Sequence, residues 1–313
     1  MATLEDHLRR WLADVEPDSH LLTTRSLGGG ISSGMTAFAV SSAGQDRTLI
    51  LRQPNDWTLR NIPHAVRHEF ERLGILQREG IPVPSPVYAD ETGASFGRPG
   101  LIIEYVDGTP DLSPVDLAGY LDQFAHRLAT IHRVDPATPG LSLPEPDRGY
   151  LERFSTDAPP EADPAFQVER IWAELSNHVS VKSLNPPALL HGDYWPGNTL
   201  WQDGALVAVI DWEAAEIGDP LKDLAISRID IWWLFGPQAM EDFTASYLAQ
   251  SPVDVTLLPL LDLQTALRLV DRPGAWAASY VPLGRPDITL DYMKRTHAGF
   301  VEQAFTALKE ARL

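Results

Sequence analysis

Asp193, Asn198 and Asp211 fall within a stretch of about twenty residues, and their side chains all carry oxygen donors. The segment reads His191-Gly192-Asp193-Tyr194-Trp195-Pro196-Gly197-Asn198, followed by Val209-Ile210-Asp211-Trp212-Glu213. Moving a phosphoryl group from a nucleotide needs few covalent helpers. It takes metal ions bridging the phosphates, a carboxylate to orient the attacking hydroxyl, and cationic or backbone donors on the phosphate oxygens. An amide carbonyl and a carboxylate suit Mg²⁺, which prefers oxygen ligands and fills its other positions with water and phosphate. Asp193 precedes that pair and is placed to take the proton of an acceptor hydroxyl.

Short apolar runs lead into both parts of the segment. Ala188–Leu190 precedes His191 and Leu206–Ile210 precedes Asp211, each with the length and composition of a buried strand. Asp203-Gly204 is a favoured turn pair, so Thr199–Trp201 and Leu206–Ile210 are expected to form a hairpin that carries Asn198 and Asp211 to one end. By composition alone His191 is either a ligand or base, or a packing residue. Asp219-Pro220 reads as a helix start, with aspartate as the cap and proline in the first turn.

His-Gly-Asp, four residues, Asn, and then Ile-Asp-Trp resembles the signature of the aminoglycoside phosphotransferase and choline kinase superfamily. Gly218-Asp219-Pro220-Leu221-Lys222-Asp223-Leu224 resembles the motif that follows it there. The resemblance runs from about residue 20 to about residue 235 and is most specific over 191–224. It implies a protein-kinase-like fold, with Asp193 as the catalytic-loop aspartate, Asn198 and Asp211 as magnesium ligands, and Glu213 assisting as in the choline-kinase branch. It makes His191 a packing and hydrogen-bonding residue, and Asp223 a brace for the catalytic loop.

The nucleotide side is expected in the first third of the chain. Leu21–Leu27 and Met35–Val40 read as strands flanking Gly28-Gly29-Gly30-Ile31-Ser32-Ser33-Gly34, a turn able to fold over phosphates with its backbone N–H groups. The resemblance favours phosphate contact here, with Ser32, Ser33 and Gly34 at the tip. Arg52 ends a third strand, Thr48–Arg52, where the family usually has lysine. Arginine keeps its charge and can hold phosphate with two N–H groups, but its fork is bulkier and differently aimed. Arg52 is expected to pair with Glu69 on a helix over Ala65–Glu79. Glu71 is the competing partner, and Glu69 matches the family spacing before Gly80. Glu104-Tyr105-Val106 resembles the connector between lobes, whose backbone meets the adenine edge.

These elements position the site in an α+β, two-lobed fold. A small strand-rich lobe spans 1–103, a connector 104–110 and a helical lobe 111–313. Ser113-Pro114 is a candidate cap for a helix bearing Leu117, Leu121, Phe124, Leu128 and Ile131 on one face, and another helix is expected over Pro164–Val179. Pro82-Val83-Pro84-Ser85-Pro86 and Pro159-Pro160 read as loop punctuation.

With 313 residues and 44% hydrophobic content the chain can bury a sizeable core. It has no cysteine, which rules out disulfides and thiolate metal sites and fits a cytoplasmic setting. Its beginning lacks the basic-then-apolar layout of a secretion signal, and no apolar run approaches the roughly 20 residues that span a bilayer.

The net charge is −18, of which −16 falls in residues 104–313. Nucleic acid and anionic lipid are thereby disfavoured as partners, and a cationic small molecule is favoured. The expected partners are therefore a nucleoside triphosphate, ATP or GTP with Mg²⁺, and a small hydroxyl acceptor. An aminoglycoside antibiotic is the first guess for the acceptor. A macrolide, or a metabolite such as choline, homoserine or a sugar, is the alternative. Asp230, Glu241, Asp262, Asp271 and Asp287 are candidate carboxylates for a cationic acceptor, and Trp232, Trp233 and Trp276 candidate cage aromatics. A nucleotide-binding module that has lost catalysis is the reading from another class. A hydrolase finds no nucleophile elbow and no His-Glu-x-x-His motif.

Overall fold

The computed structural model describes residues 2–27, 33–141, 143, 151, 154, 161–270 and 272–311. It divides into two compact units, Met1–Asp107 with Pro139–Ser142, and Gly108–Thr138 with Leu143–Leu313. The division between Asp107 and Gly108 falls within the segment 104–110 read as a connector. A short later segment also returns to the first unit, where Gly140 lies against Ile75.

The first unit opens with helix α1, Leu4–Val15, which the sequence reading did not anticipate. Thr3 and Asp6 cap it reciprocally, each side chain taking the other's backbone N–H. Leu8, Trp11 and Leu12 then share one face and bury against Leu21, Phe38, Val40, Leu49, Leu51, Phe96 and Ile102. Each such side chain contributes about 1.5–3 kcal/mol.

The five-stranded sheet is antiparallel, in the order β1-β2-β3-β5-β4, with β1 Ser19–Leu27, β2 Ser33–Ser42, β3 Gln45–Pro54, β4 Pro86–Asp90 and β5 Gly100–Glu104. β2 and β3 join through Ala43-Gly44, both at positive φ, the two-residue turn whose twist matches the strands. The register sets Met35 opposite Arg52 and Arg52 opposite Leu101. A short helix α2, Asp56–Asn61, precedes α3, Ala65–Arg78. The expected stop at Gly80 is present: its φ is +79°, and the Ile81 N–H closes back on Leu76.

In the second unit α4 spans Leu117–His132 and buries Leu121, Phe124, Leu128 and Ile131. Its cap is Asp116, whose carboxylate accepts the Gly119 N–H at 3.0 Å, and not the expected Ser113. The helix expected over Pro164–Val179 is broken at Gln167, which adopts a left-handed conformation. A single turn, Pro164–Phe166, therefore precedes α5, Val168–Asn177. Two small ladders follow, β6 Ala188–Leu190 with β9 Glu216–Gly218, and β7 Thr199–Gln202 with β8 Ala205–Val209. Helices complete the unit: α6 Leu221–Phe235, α7 Pro237–Gln250, α8 Leu258–Ala266, α9 Pro273–Tyr280 and α10 Leu290–Glu310. A buried bidentate ion pair joins Arg228 on α6 to Asp262 on α8, with the Thr244 hydroxyl accepting from the same guanidinium. Among the described residues no helix is long and apolar enough to cross a membrane.

Candidate active site

Strand β6 is fully buried and delivers His191 and Gly192 into a tight loop. Gly192 has φ +79°, and a Cβ there would stand 2.0 Å from the Ala214 carbonyl oxygen, so only glycine fits. The His191 ring is buried. Its Nδ1 accepts the Asp193 N–H at 3.3 Å, so Nε2 carries the proton and donates to the Ile210 carbonyl at 2.9 Å. His191 is thereby a spacer between the two halves of the site and is not aimed at a ligand.

Beneath the loop, Asp223 accepts the His191 and Gly192 N–H groups, one on each carboxylate oxygen, and meets His132 Nε2 at 3.3 Å. Burial alone would raise the Asp223 pKa. The hydrogen bond and electrostatic pull of His132, with the His191 backbone N–H, outweigh it and hold the carboxyl below its ordinary value. Tyr194 anchors the next turn, stacking on Phe124 and donating its hydroxyl to the Phe124 carbonyl.

Asn198 closes a single turn, Pro196–Asn198. Its Nδ2 donates to the Asp193 carbonyl at 2.9 Å and to Asp193 Oδ2 at 3.1 Å. These bonds fix the amide and leave Oδ1 as the atom to offer a cation. The expected hairpin is present, turning at Asp203-Gly204, and the Ile210 N–H donates to the Asn198 carbonyl at 2.9 Å. Asp211 therefore follows directly on a residue bonded to Asn198. It is exposed and sits at φ 65°, ψ 58°. A left-handed aspartate costs strain that the surrounding ladder must hold, a pattern concentrated at functional sites. Glu213 is exposed in the following turn.

An amide oxygen at Asn198 and a carboxylate at Asp211 are donor types that suit Mg²⁺. Among the described residues no group of three or more His, Asp or Glu side chains is arranged to hold a metal. A site of two protein ligands completed by phosphate and water is the form these residues can build.

The sequence reading missed Arg268, Tyr280 and Trp195. Arg268 follows α8 and places Nη2 2.5 Å from Asp193 Oδ1, with its guanidinium 5.6 Å from the Trp276 ring centroid. Tyr280 donates its hydroxyl to Asp230 at 3.0 Å and meets the Trp195 ring edge-on. Burial pushes the Asp230 carboxyl up to about 7, against the opposing charge of Arg268 and with Asp193 adding to the rise. No local motif marks Arg268, because it lies 75 residues beyond Asp193 in a helical region.

The other acidic candidates lie elsewhere. Asp262 is consumed by Arg228, Asp287 pairs with Arg285, Glu241 is exposed, and Asp271 lies outside the described residues. Trp233 is buried, and Trp232 packs on Phe300 while donating to the Thr296 carbonyl.

In the first unit Arg52 Nη1 stands 2.6 Å from Glu69 Oε1, while Glu71 pairs with Arg67. Arg52 Nε also donates to the Ser33 hydroxyl at 3.2 Å. Ser33 and Gly34 are not at a loop tip as expected. They pair with Pro54 and Gln53 and extend β2. Ser32 and Gly28–Ile31 lie outside the described residues. In the connector, the Glu104 N–H donates to the Ser85 carbonyl and the Tyr105 N–H to the Thr48 carbonyl. Of the three residues expected at adenine, only Val106 keeps its N–H outside these two bonds.

The family model of phosphotransferase enzymes matches residues 27–255. The chain belongs to the phosphotransferase enzyme family. Like other phosphotransferase chains, it shares the fold of the choline kinase LicA from Streptococcus pneumoniae. That likeness covers 99% of this chain and 100% of the other, at a TM-score of 0.59 and 19% identity. The protein-kinase-like fold expected from the motifs is thus the fold of this phosphotransferase.

The chain is also 28% identical over 199 residues to acyl-CoA dehydrogenase family member 10 of Mus musculus, covering 58% of this chain and 18% of that protein. It is 30% identical over 198 residues to a homoserine kinase of Pseudomonas aeruginosa (strain LESB58), covering 58% of this chain and 56% of that enzyme. The chain spans about a fifth of the length of the first of these relatives and just over half of the second.

Proposed function

We propose that this phosphotransferase moves the γ-phosphoryl group of a nucleoside triphosphate, with ATP the first choice and GTP the alternative, onto a hydroxyl of a small molecule. The observation that carries this reading is the coupling of Asp193 to Asn198 through two hydrogen bonds, with Asp211 following Ile210, whose N–H is bonded to Asn198.

In this reading Asp193 accepts the acceptor's proton. The acceptor oxygen forms a bond to the γ-phosphorus as the bond from that phosphorus to the bridging oxygen breaks, and the nucleoside diphosphate leaves with the bonding electron pair. Asn198 and Asp211 would hold Mg²⁺, with Glu213 assisting, and the metal would neutralise charge on the phosphates. Arg52, held by Glu69, and the backbone near Ser33 and Gly34 serve the α- and β-phosphates. The Glu104–Val106 backbone serves adenine, with Val106 as the N–H donor.

Membership of the family and the identity to a homoserine kinase support the reading. A polycationic acceptor such as an aminoglycoside gains little from the second unit, where Asp262 and Asp287 are already paired and the nearest charge to Asp193 is Arg268.

The test is nucleotide consumption by the purified protein with Mg²⁺ over a panel of antibiotics and hydroxylated metabolites, beside Asp193→Ala and Asp211→Ala. Acceptor-dependent consumption that falls by about 10²–10⁴-fold in Asp193→Ala is expected. Full activity in that variant, with the true acceptor, would overturn the assignment.

A further inference from the structure

We infer that Arg268 is the acceptor-anchoring residue and that the acceptor is a small hydroxy compound carrying an anionic group, a carboxylate or phosphate, close to the hydroxyl that is phosphorylated. The inference rests on the kinase reading above and names its substrate class.

Four observations carry it. First, Arg268 contacts Oδ1 of Asp193, the residue assigned to the acceptor's proton, so any acceptor placed on Asp193 meets a guanidinium at once. The guanidinium offsets the charge of the Asp193 carboxylate, so the pair does not draw a cation as a lone carboxylate would, while its fork can hold an anionic group. Second, both side chains reach solvent, with 32% of Arg268 and 31% of Asp193 exposed, so the pair is open to a ligand. An ion pair this exposed is worth only about 0–1 kcal/mol and is readily exchanged.

Third, the contact with Asp193 is made by Nη2 alone. A guanidinium offers a planar fork of donors that matches a carboxylate or phosphate at two points, a better match than the present single contact. Fourth, the Trp276 ring stands by the guanidinium, its centroid 5.6 Å away. A ring beside the guanidinium steadies the arginine without taking up its N–H donors. Because Arg268 and Asp193 touch, one molecule can engage both only if its hydroxyl and anionic group are a few bonds apart. That geometry describes a small hydroxy acid or a hydroxylated phosphate and excludes a large polycation.

The experiment measures kcat/KM for glycerate, malate and homoserine, each beside its primary amide, and for glycerol 3-phosphate beside glycerol, with choline and kanamycin as cationic controls. Wild-type protein, Arg268→Lys and Arg268→Gln are compared. The expected result is a preference for the anionic member of a pair. In Arg268→Gln that preference falls by roughly 10–100-fold, through a KM that rises far more for the anionic member than for the neutral one; Arg268→Lys restores part of it. A merely structural Arg268 would lower both members of a pair equally. That result, a rise in rate with every acceptor on removing Arg268, or a preference for choline or kanamycin would each overturn the assignment.

Calorimetric titration of the same pairs into the protein with Mg²⁺ and a non-hydrolysable ATP analogue separates the two claims. If nothing turns over, the kinase reading fails alone. Anion-selective binding lost in Arg268→Gln still supports the anchoring role, and binding indifferent to Arg268 ends it.

Discussion

Asp223 Oδ2 accepts the His191 N–H at 2.7 Å although 32 residues separate the two in the chain. With Oδ1 on the Gly192 N–H, this one carboxylate fixes the backbone that presents Asp193. Asp223→Ala leaves two buried N–H groups and His132 without their acceptor, and a loss of about 3 kcal/mol or more is expected. Asp223→Asn keeps the shape but replaces one acceptor by a donor and should lose somewhat less. Urea denaturation checks the stability. In material that still folds, kcat should fall with little change in nucleotide KM, because the damage lies on the Asp193 side. Unaltered stability in both variants would contradict the bracing role.

Arg52 and Glu69 make a second, independent prediction. Glu69→Gln and Arg52→Ala should each raise nucleotide KM by roughly 10–100-fold, since a charge-assisted contact to phosphate is lost or misaimed. Arg52→Lys should retain part of the affinity, and Glu71→Gln, whose partner is Arg67, should leave it unchanged. Titration with a non-hydrolysable nucleotide decides this without reference to the acceptor.

The two halves of the site differ in how far the sequence discloses them. Asp193, Asn198 and Asp211 are legible because short-range rules place them: a buried strand, a glycine that only glycine can satisfy, and a two-residue turn that folds Asp211 back on Asn198. The Arg52 partner is legible because strand and helix each fix one end of the pair. Arg268 and Tyr280 are not, because they reach Asp193 and Asp230 through helix packing, which leaves no local pattern. Ser33 and Gly34 were misplaced for a different reason: glycine and serine favour turns, but pairing with Gln53 and Pro54 draws them into the strand. Helix α1 escaped because its charges mask an apolar face of only three buried residues.

Asp230 gives a stability prediction with a definite sign. Its carboxyl is raised from 3.8 in the unfolded chain to about 7 in the folded protein. Between those values the native state keeps a proton that the unfolded state releases. Its contribution is therefore full below pH 3.8 and is lost as the pH rises through 7, by roughly 4 kcal/mol in all. Asp230→Asn, which can still accept the Tyr280 hydroxyl, removes this dependence. The variant's thermal midpoint should thus gain on the wild type between pH 5 and pH 8. A difference that stays constant over that range would refute the assignment.

His297 on α10 carries the opposite sign. It is fully buried and edge-on to Phe166, and among the described residues neither ring nitrogen makes a hydrogen bond of ordinary geometry. Burial pushes its pKa down from 6.5 to about 4, so the folded protein holds it neutral. Above pH 6.5 both states are neutral and the full stability is present. As the pH falls, the unfolded chain takes up a proton that the native state refuses, and stability drains away until about pH 4, to a total of about 3 kcal/mol. His297→Leu or His297→Phe removes the titrating group and keeps an apolar contact with Phe166. Denaturant titrations at pH 7.5 and pH 5 should therefore show the wild type losing about 2 kcal/mol more than either variant over that interval. Equal losses would mean that His297 takes up its proton equally in the folded and unfolded chain, which the closed packing around it does not allow.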